Sequence, residues 1–151
     1  MAFQGPVPVE FGQVFPDGAY AAGSFEQVRD FDRSQGDRFV QQADKHTGLP
    51  LWVVEVIDAD PQARNRTVKV KVASDVQPVL PPAQAGSPFT AVEFTGLTVT
   101  PYVDSSRCQG HGRCAARVAY SFRATGVRAP SRGTSTRPGA SAGASAEKDA
   151  A

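Results

Sequence analysis

From Thr67 to Ala73 the chain reads Thr-Val-Lys-Val-Lys-Val-Ala, which puts Val68, Val70 and Val72 on one side of an extended strand and Thr67, Lys69 and Lys71 on the other. A helix would scatter those valines around its axis, so this stretch is constrained to be a half-buried strand. Upstream, Leu51 to Ile57 is the most apolar stretch of the chain. It carries Leu51, Val53 and Ile57 on one face and Trp52, Val54 and Val56 on the other, as expected of a central strand or one where a sheet bends. Asp58-Ala-Asp-Pro61 and the loop Ala63 to Asn65 separate the two runs, so residues 51–73 read as one long hairpin with at most a short helical turn at 60–64.

The remaining segments follow the same period. Val7, Val9 and Phe11 alternate with Pro8 and Glu10, predicting an edge strand, and Pro16-Asp17-Gly18 predicts a turn. A second extended segment is expected from Ala19 toward Asp30, anchored by Phe25, with a partner strand beginning at Phe39 to Gln42. Gln77 to Pro88 is Pro-rich and should run irregularly across one end of the fold. Phe89 to Phe94, Leu97 to Val103 and Ala115 to Thr125 supply further strands, and in the last of these Val118, Tyr120, Phe122 and Ala124 share a face opposite Arg117, Ala119, Ser121 and Arg123. The expected fold is all-β, a small antiparallel barrel that closes its own edges. An oligonucleotide-binding-like barrel fits the size, with a small sandwich or split barrel as alternatives. Residues 1–130 are expected to form this single domain. The Ser, Gly and Ala of 131–151 lack the apolar mass to repay ordering and read as a disordered tail.

Formal charge divides unevenly. Residues 1–60 carry four basic and ten acidic side chains, and 61–130 carry nine basic and three acidic, so the two stretches run at −6 and +6. Either they neutralise each other across a shared surface or a separate basic face remains for a polyanion. The chain opens on no basic, apolar export signal and holds no run long enough to span a membrane, so the expectation is a cytoplasmic protein without membrane partners. Two cysteines are too few for a disulfide framework and are expected to stay reduced there, although a bridge between Cys108 and Cys114 is an open alternative.

Candidate chemistry is sparse. Cys108, His111 and Cys114 offer good zinc ligands, but a structural site needs four and the usual paired spacing is missing, so no metal or other cofactor is expected. A thiol hydrolase would need an orienting third group, and Asp58 and Asp60 stand where Asp commonly caps a turn. No Gly-rich phosphate loop occurs. Catalytic residues are therefore not expected. A nucleic-acid surface is better supported: Lys69 and Lys71 form an outward stripe, Arg64 and Arg66 stand at its approach, and Arg117 and Arg123 share the outward face of another strand. Should those strands be neighbours, the cations converge into a groove, with Trp52 and Tyr102 as candidate rings for stacking bases. The competing readings are a core tryptophan at Trp52 and lysines that serve solubility and edge protection.

Several long blocks resemble a known group. These are Pro8-Val-Glu-Phe-Gly-Gln-Val-Phe-Pro16, Thr47-Gly-Leu-Pro-Leu-Trp-Val-Val-Glu-Val-Ile-Asp-Ala-Asp-Pro61, Thr67-Val-Lys-Val-Lys-Val72, Val92-Glu-Phe-Thr-Gly-Leu-Thr-Val-Thr-Pro-Tyr-Val103 and Ala119-Tyr-Ser-Phe-Arg-Ala-Thr-Gly-Val-Arg-Ala-Pro130. Together they resemble the replication, integration and excision activator proteins of actinomycete integrative plasmids, over roughly residues 7 to 130. The resemblance implies a non-enzymatic activator of replication and transfer and carries over no active-site residue. The connector holding Cys108, His111 and Cys114 departs from the short one usual in that group. Partners consistent with this reading are single-stranded DNA and element-encoded replication or recombination proteins. The alternative is an adaptor that recruits an initiator or recombinase without touching DNA, through the acidic residues Glu26, Asp30, Asp32 and Asp37.

Overall fold

The structure is a computed structural model and describes residues 5–108, 110, 112 and 114–131. Those residues hold nine strands and one helical turn: β1 (Val7–Pro8), α1 (Phe11–Val14), β2 (Ala19–Ala21), β3 (Glu26–Gln27), β4 (Leu51–Asp58), β5 (Thr67–Ala73), β6 (Thr90–Thr95), β7 (Thr98–Asp104), β8 (Arg117–Ala124) and β9 (Gly126–Arg128). The domain is all-β, built on one curled, barrel-like mixed sheet in the order β1-β7-β8-β5-β4-β2-β6-β9, with β3 added to β4. Strands β5 and β8 run parallel, and the other pairings are antiparallel.

Curling follows from one bend. β9 continues β8 past Thr125, so a single extended stretch pairs with β7 and β5 in its first part and with β6 in its second. At the bend the Thr125 N–H and hydroxyl both donate to the Thr95 carbonyl, at 2.9 and 3.1 Å. Facing it, Gly96 sits at φ +60°, and a Cβ there would run into the Thr125 side chain, so the close approach requires glycine.

The expected hairpin is present. β4 and β5 pair from Leu51↔Ala73 to Ile57↔Thr67, and the valines of β5 face inward with its lysines out. Val54, Val56, Val70, Val72 and Val92 are fully buried, each contributing roughly 1.5–3 kcal/mol over exposure. Phe25 is buried as expected. Phe11 and Phe15 close one end, their ring centroids 5.3 Å apart, with Phe15 also stacked toward Phe122. Leu80 leans onto the same core from the irregular Pro-rich segment.

Four expectations need correction. The sheet is open and mixed, not a closed antiparallel barrel, because β5 and β8 meet in parallel. The N-terminal strand stops at Pro8, and Phe11 opens a helical turn, because the Glu10 N–H donates to Gln13 Oε1 at 2.9 Å and caps that turn. No partner strand forms at Phe39 to Gln42, only isolated bridges at Arg29↔Gln41 and Ala43↔Pro50. Around Arg29↔Gln41 the Asp30 N–H donates to the Val40 carbonyl and the Gln42 N–H to the Val28 carbonyl, and beyond this short pairing side chains take over: Ser34 Oγ accepts the Val40 N–H at 3.0 Å, and the Asp30 carboxylate accepts the Asp32 and Arg33 N–H groups. The cysteines, expected to stay reduced, are bonded to each other, Cys108 to Cys114, with Cα atoms 4.6 Å apart. The β7–β8 ladder closes at Asp104↔Arg117 and a turn brings the Cys108 N–H to the Ser105 carbonyl, which swings the first cysteine back toward the second strand. Of the tail expected at 131–151, all but Ser131 lies outside the described residues, as does His111.

Candidate nucleic-acid interface

The parallel pairing of β5 with β8 is short. It joins Val70–Val72 to Phe122–Ala124, whereas β4 holds β5 back to Thr67 and β7 holds β8 back to Arg117. Ahead of Val70 and Phe122 the two strands therefore part, and a groove of about 990 Å³ opens between them. Its walls are the β4–β5 loop, the outer face of β5, and the projecting part of the β7–β8 hairpin.

Five of the eight residues expected at a site line this groove: Arg64, Lys69, Lys71, Arg117 and Tyr102. Lys69 stands across the ladder from Glu55 without an ion pair between them. Lys71 is half-buried, and burial followed by the facing Arg123 guanidinium lowers its pKa from the usual lysine range. Arg117 Nε donates to Asp104 Oδ2 at 3.4 Å. Asp104 is held below the usual carboxylate range first by the Ser106 hydroxyl and N–H and then by Arg117, so this acid shares the groove in its charged form. Tyr102 is 51% exposed.

The other three residues are placed elsewhere. Trp52 is buried in the core and its Nε1–H donates to the Ser74 carbonyl at 3.0 Å, so the core reading of this residue is the correct one and it offers no stacking face. Arg66 turns back on its own loop, donating to the Pro61 carbonyl at 3.2 Å. Arg123 donates through Nη1 to Asp44 Oδ1 at 2.8 Å and ties the 28–50 excursion to β8. Burial raises the Asp44 pKa, but the His46 N–H, the Thr47 hydroxyl and the Arg123 charge outweigh it and hold the carboxyl below its ordinary value.

Among the groove residues that were not expected are Val118 and Tyr120, which are 62% and 60% exposed. They share the face of Phe122 and Ala124, as the alternation predicts, but β8 runs past the end of the core. Only a tertiary structure shows where a core stops, so the sequence gives no sign that this face becomes accessible halfway along the strand.

Backbone groups also face the groove. The Val9 N–H donates to the Leu97 carbonyl, so Leu97, Val99 and by alternation Pro101 turn their peptide groups away from β8, and Pro101↔Tyr120 is a non-hydrogen-bonded pair. By alternation Tyr120 and Val118 turn their N–H and C=O groups away from β7, toward β5. On the opposite wall the Ala22 N–H donates to the Glu55 carbonyl, so Glu55 faces β2, and two residues on the pair Ile57↔Thr67 has the same orientation, which turns the Thr67 peptide groups to the groove side of β5. The β5–β8 ladder stops at Val70 and Phe122, so it does not extend to the peptide groups of Thr67, Val118 and Tyr120 on that side.

Among the described residues no three His, Cys, Asp or Glu side chains gather as a metal site, and no helix is long and apolar enough to cross a membrane. The acids of the excursion are partly engaged with their own backbone, as at Asp30, while Phe31 stands 81% exposed with the Arg29 guanidinium over its ring. Comparison with protein-family models, with curated proteins and with solved structures found no match.

Proposed function

We propose that this chain is a non-enzymatic accessory protein for replication and transfer of an integrative plasmid, and that it holds single-stranded DNA in the β5–β8 groove. The observation that carries the DNA reading is the convergence of Arg64, Lys69, Lys71 and Arg117 with the exposed ring of Tyr102 around one open cleft. Cations spaced along a cleft meet successive phosphates, and a ring beside them accepts a base of any sequence. The role in a mobile element rests on the sequence resemblance alone.

Strand order supports the finer fold assignment. Around the sheet, β2 lies between β4 and β6, β4 beside β5, β5 parallel to β8, and the β8–β9 stretch beside β6 and β7. Counting β6–β7 and β8–β9 as one bent strand each, and leaving aside the short β1 and β3, this order is consistent with the succession of a five-stranded oligonucleotide-binding barrel, whose second and third strands and fourth loop belong to the usual binding face. Lys69 and Lys71 lie on the third strand of that count and Tyr102 on the hairpin that carries the fourth loop.

A second reading is favoured by Phe31, exposed among Asp30, Asp32 and Asp37: an adaptor that recruits an initiator or recombinase through the excursion and makes no DNA contact. Titration of a labelled mixed-sequence oligonucleotide, single- and double-stranded, at low salt separates the two. Single-strand binding that weakens as salt rises is expected, and absence of any affinity transfers the function to the adaptor surface. Anisotropy of the labelled DNA is the suitable signal, because Trp52 lies in the core away from the groove.

A further inference from the structure

Inside the groove three kinds of surface occur in order. At the rim stand the cations Arg64, Lys69 and Arg117. Between the parting strands lie the peptide groups of Thr67, Val118 and Tyr120, which the β5–β8 ladder does not reach. Beside them are the exposed side chains of Val118 and Tyr120, which continue the apolar face that Phe122 begins. Open strand edges are normally blunted. The free edge of β7 beyond β1 carries Pro101, which has no N–H to offer there, whereas the edge of β8 in the groove has no such block.

We infer that the groove takes a single strand with its bases inward, their hydrogen-bonding edges against the peptide groups of Thr67, Val118 and Tyr120, and its phosphates outward among the rim cations. This rests on the nucleic-acid reading of the same groove. A nucleobase is flat and apolar on its faces and polar around its edge, and its anionic chain lies to one side. Those are the three requirements of the cleft, met in the right order. A duplex meets only the rim, since its base edges are already paired and its phosphates face out on both sides. An acidic peptide added as a strand would also use the open edge. However, β8 begins at Arg117 and rejoins β5 at Phe122, so only Val118 and Tyr120 offer peptide groups to it, which is short for a stable ladder.

The test compares four probes against the full chain: an oligothymidylate, an abasic oligomer of the same length and charge, a duplex, and a peptide alternating Glu with Val. Oligothymidylate is expected to bind at least about tenfold more tightly than the abasic oligomer and the duplex, since each stacked base is worth about 5- to 150-fold. Val118→Pro removes one groove-facing N–H without touching the β7 ladder, as Pro101 does on the neighbouring strand, and should weaken oligothymidylate severalfold while leaving abasic binding and the salt dependence unchanged. Tyr120→Ala provides the same comparison should Val118→Pro not fold. Equal binding of oligothymidylate and abasic oligomer overturns the inward-base arrangement and leaves a phosphate groove. Binding of no oligomer overturns the DNA reading as well. Preferential binding of the peptide makes the cleft a strand acceptor and overturns both.

Discussion

Replacing Lys69 and Lys71 together by alanine is the sharpest test of the groove, because both side chains leave one wall without altering the inward valines of β5. Each phosphate that a cation neutralises on a single strand contributes a slope of about −0.7 to the log–log dependence of affinity on salt. With Arg64, Lys69, Lys71 and Arg117 all engaged, the upper limit is a slope of about −2.8, which amounts to about a 50-fold loss of affinity over a fourfold rise in salt. The double variant retains two cations, so its slope should flatten to about −1.4, with about a sevenfold loss over the same rise. Asp104 beside Arg117 and the partial burial of Lys71 both lower the starting value, so the difference between the slopes is the quantity to measure. Anisotropy of a labelled oligonucleotide at several salt concentrations gives both slopes directly. The loss should be the same for every sequence. Parallel lines would refute the reasoning, for then those lysines meet no phosphate, however much affinity their removal costs.

Three further outcomes follow from the packing and the ion pairs. The Asp44 carboxyl is held below its ordinary pKa, so its contribution to stability is complete above the unfolded value near ~3.9 and is lost as pH falls through the folded one; Asp44→Asn should abolish that part of the acid transition in denaturant melts, and an unchanged acid limb would count against it. Phe15→Ala removes a ring that is 2% exposed and packed between Phe11 and Phe122, and should cost about 3–5 kcal/mol by calorimetry, whereas a loss below about 1 kcal/mol would place that ring outside the core. Cys108→Ser with Cys114→Ser opens the end of the β7–β8 hairpin; by loop closure it should cost at most about 2 kcal/mol globally, while hydrogen exchange at Arg117 to Ser121 speeds up. Exchange unchanged at those amides would show that the ladder alone orders the tip.

What the sequence made legible was local. The period of two in Thr67 to Ala73 and the apolar run before it determine a hairpin whatever the remaining chain does, and both are found in register. The outward placement of Lys69 and Lys71 follows from the same alternation. The parallel neighbour of β5 was not legible, because β8 reaches it only after the chain has made β6, β7 and a bridged loop, and no periodicity encodes which distant edges meet. Trp52 sits on a strand with large side chains on both faces, so the pattern alone left its direction open. Arg123 has the same outward position as Lys71 in the paired register, yet an acid from residue 44, far away in sequence, removes it from the set of free cations.

The charge division bears most directly on the function. Had the −6 and +6 stretches neutralised each other, ion pairs would cross between them throughout. Among the described residues Asp44 with Arg123 does so, while Asp104 with Arg117 and Glu93 with Arg128 pair within the basic stretch itself. Arg64, Lys69 and Lys71 lie beyond ion-pairing distance of any acid among those residues. Folding thus uses Asp104 on the β7–β8 hairpin and Glu93 on β6 facing β9, while Asp30, Asp58 and Asp60 of the acidic stretch accept backbone N–H groups in turns. A turn carboxylate fixed on its own backbone cannot swing across to screen the β5 lysines. Glu55, directly across the ladder from Lys69, is the acid placed to screen that wall, whereas replacing turn acids such as Asp30 should alter stability without altering the salt slope of DNA binding.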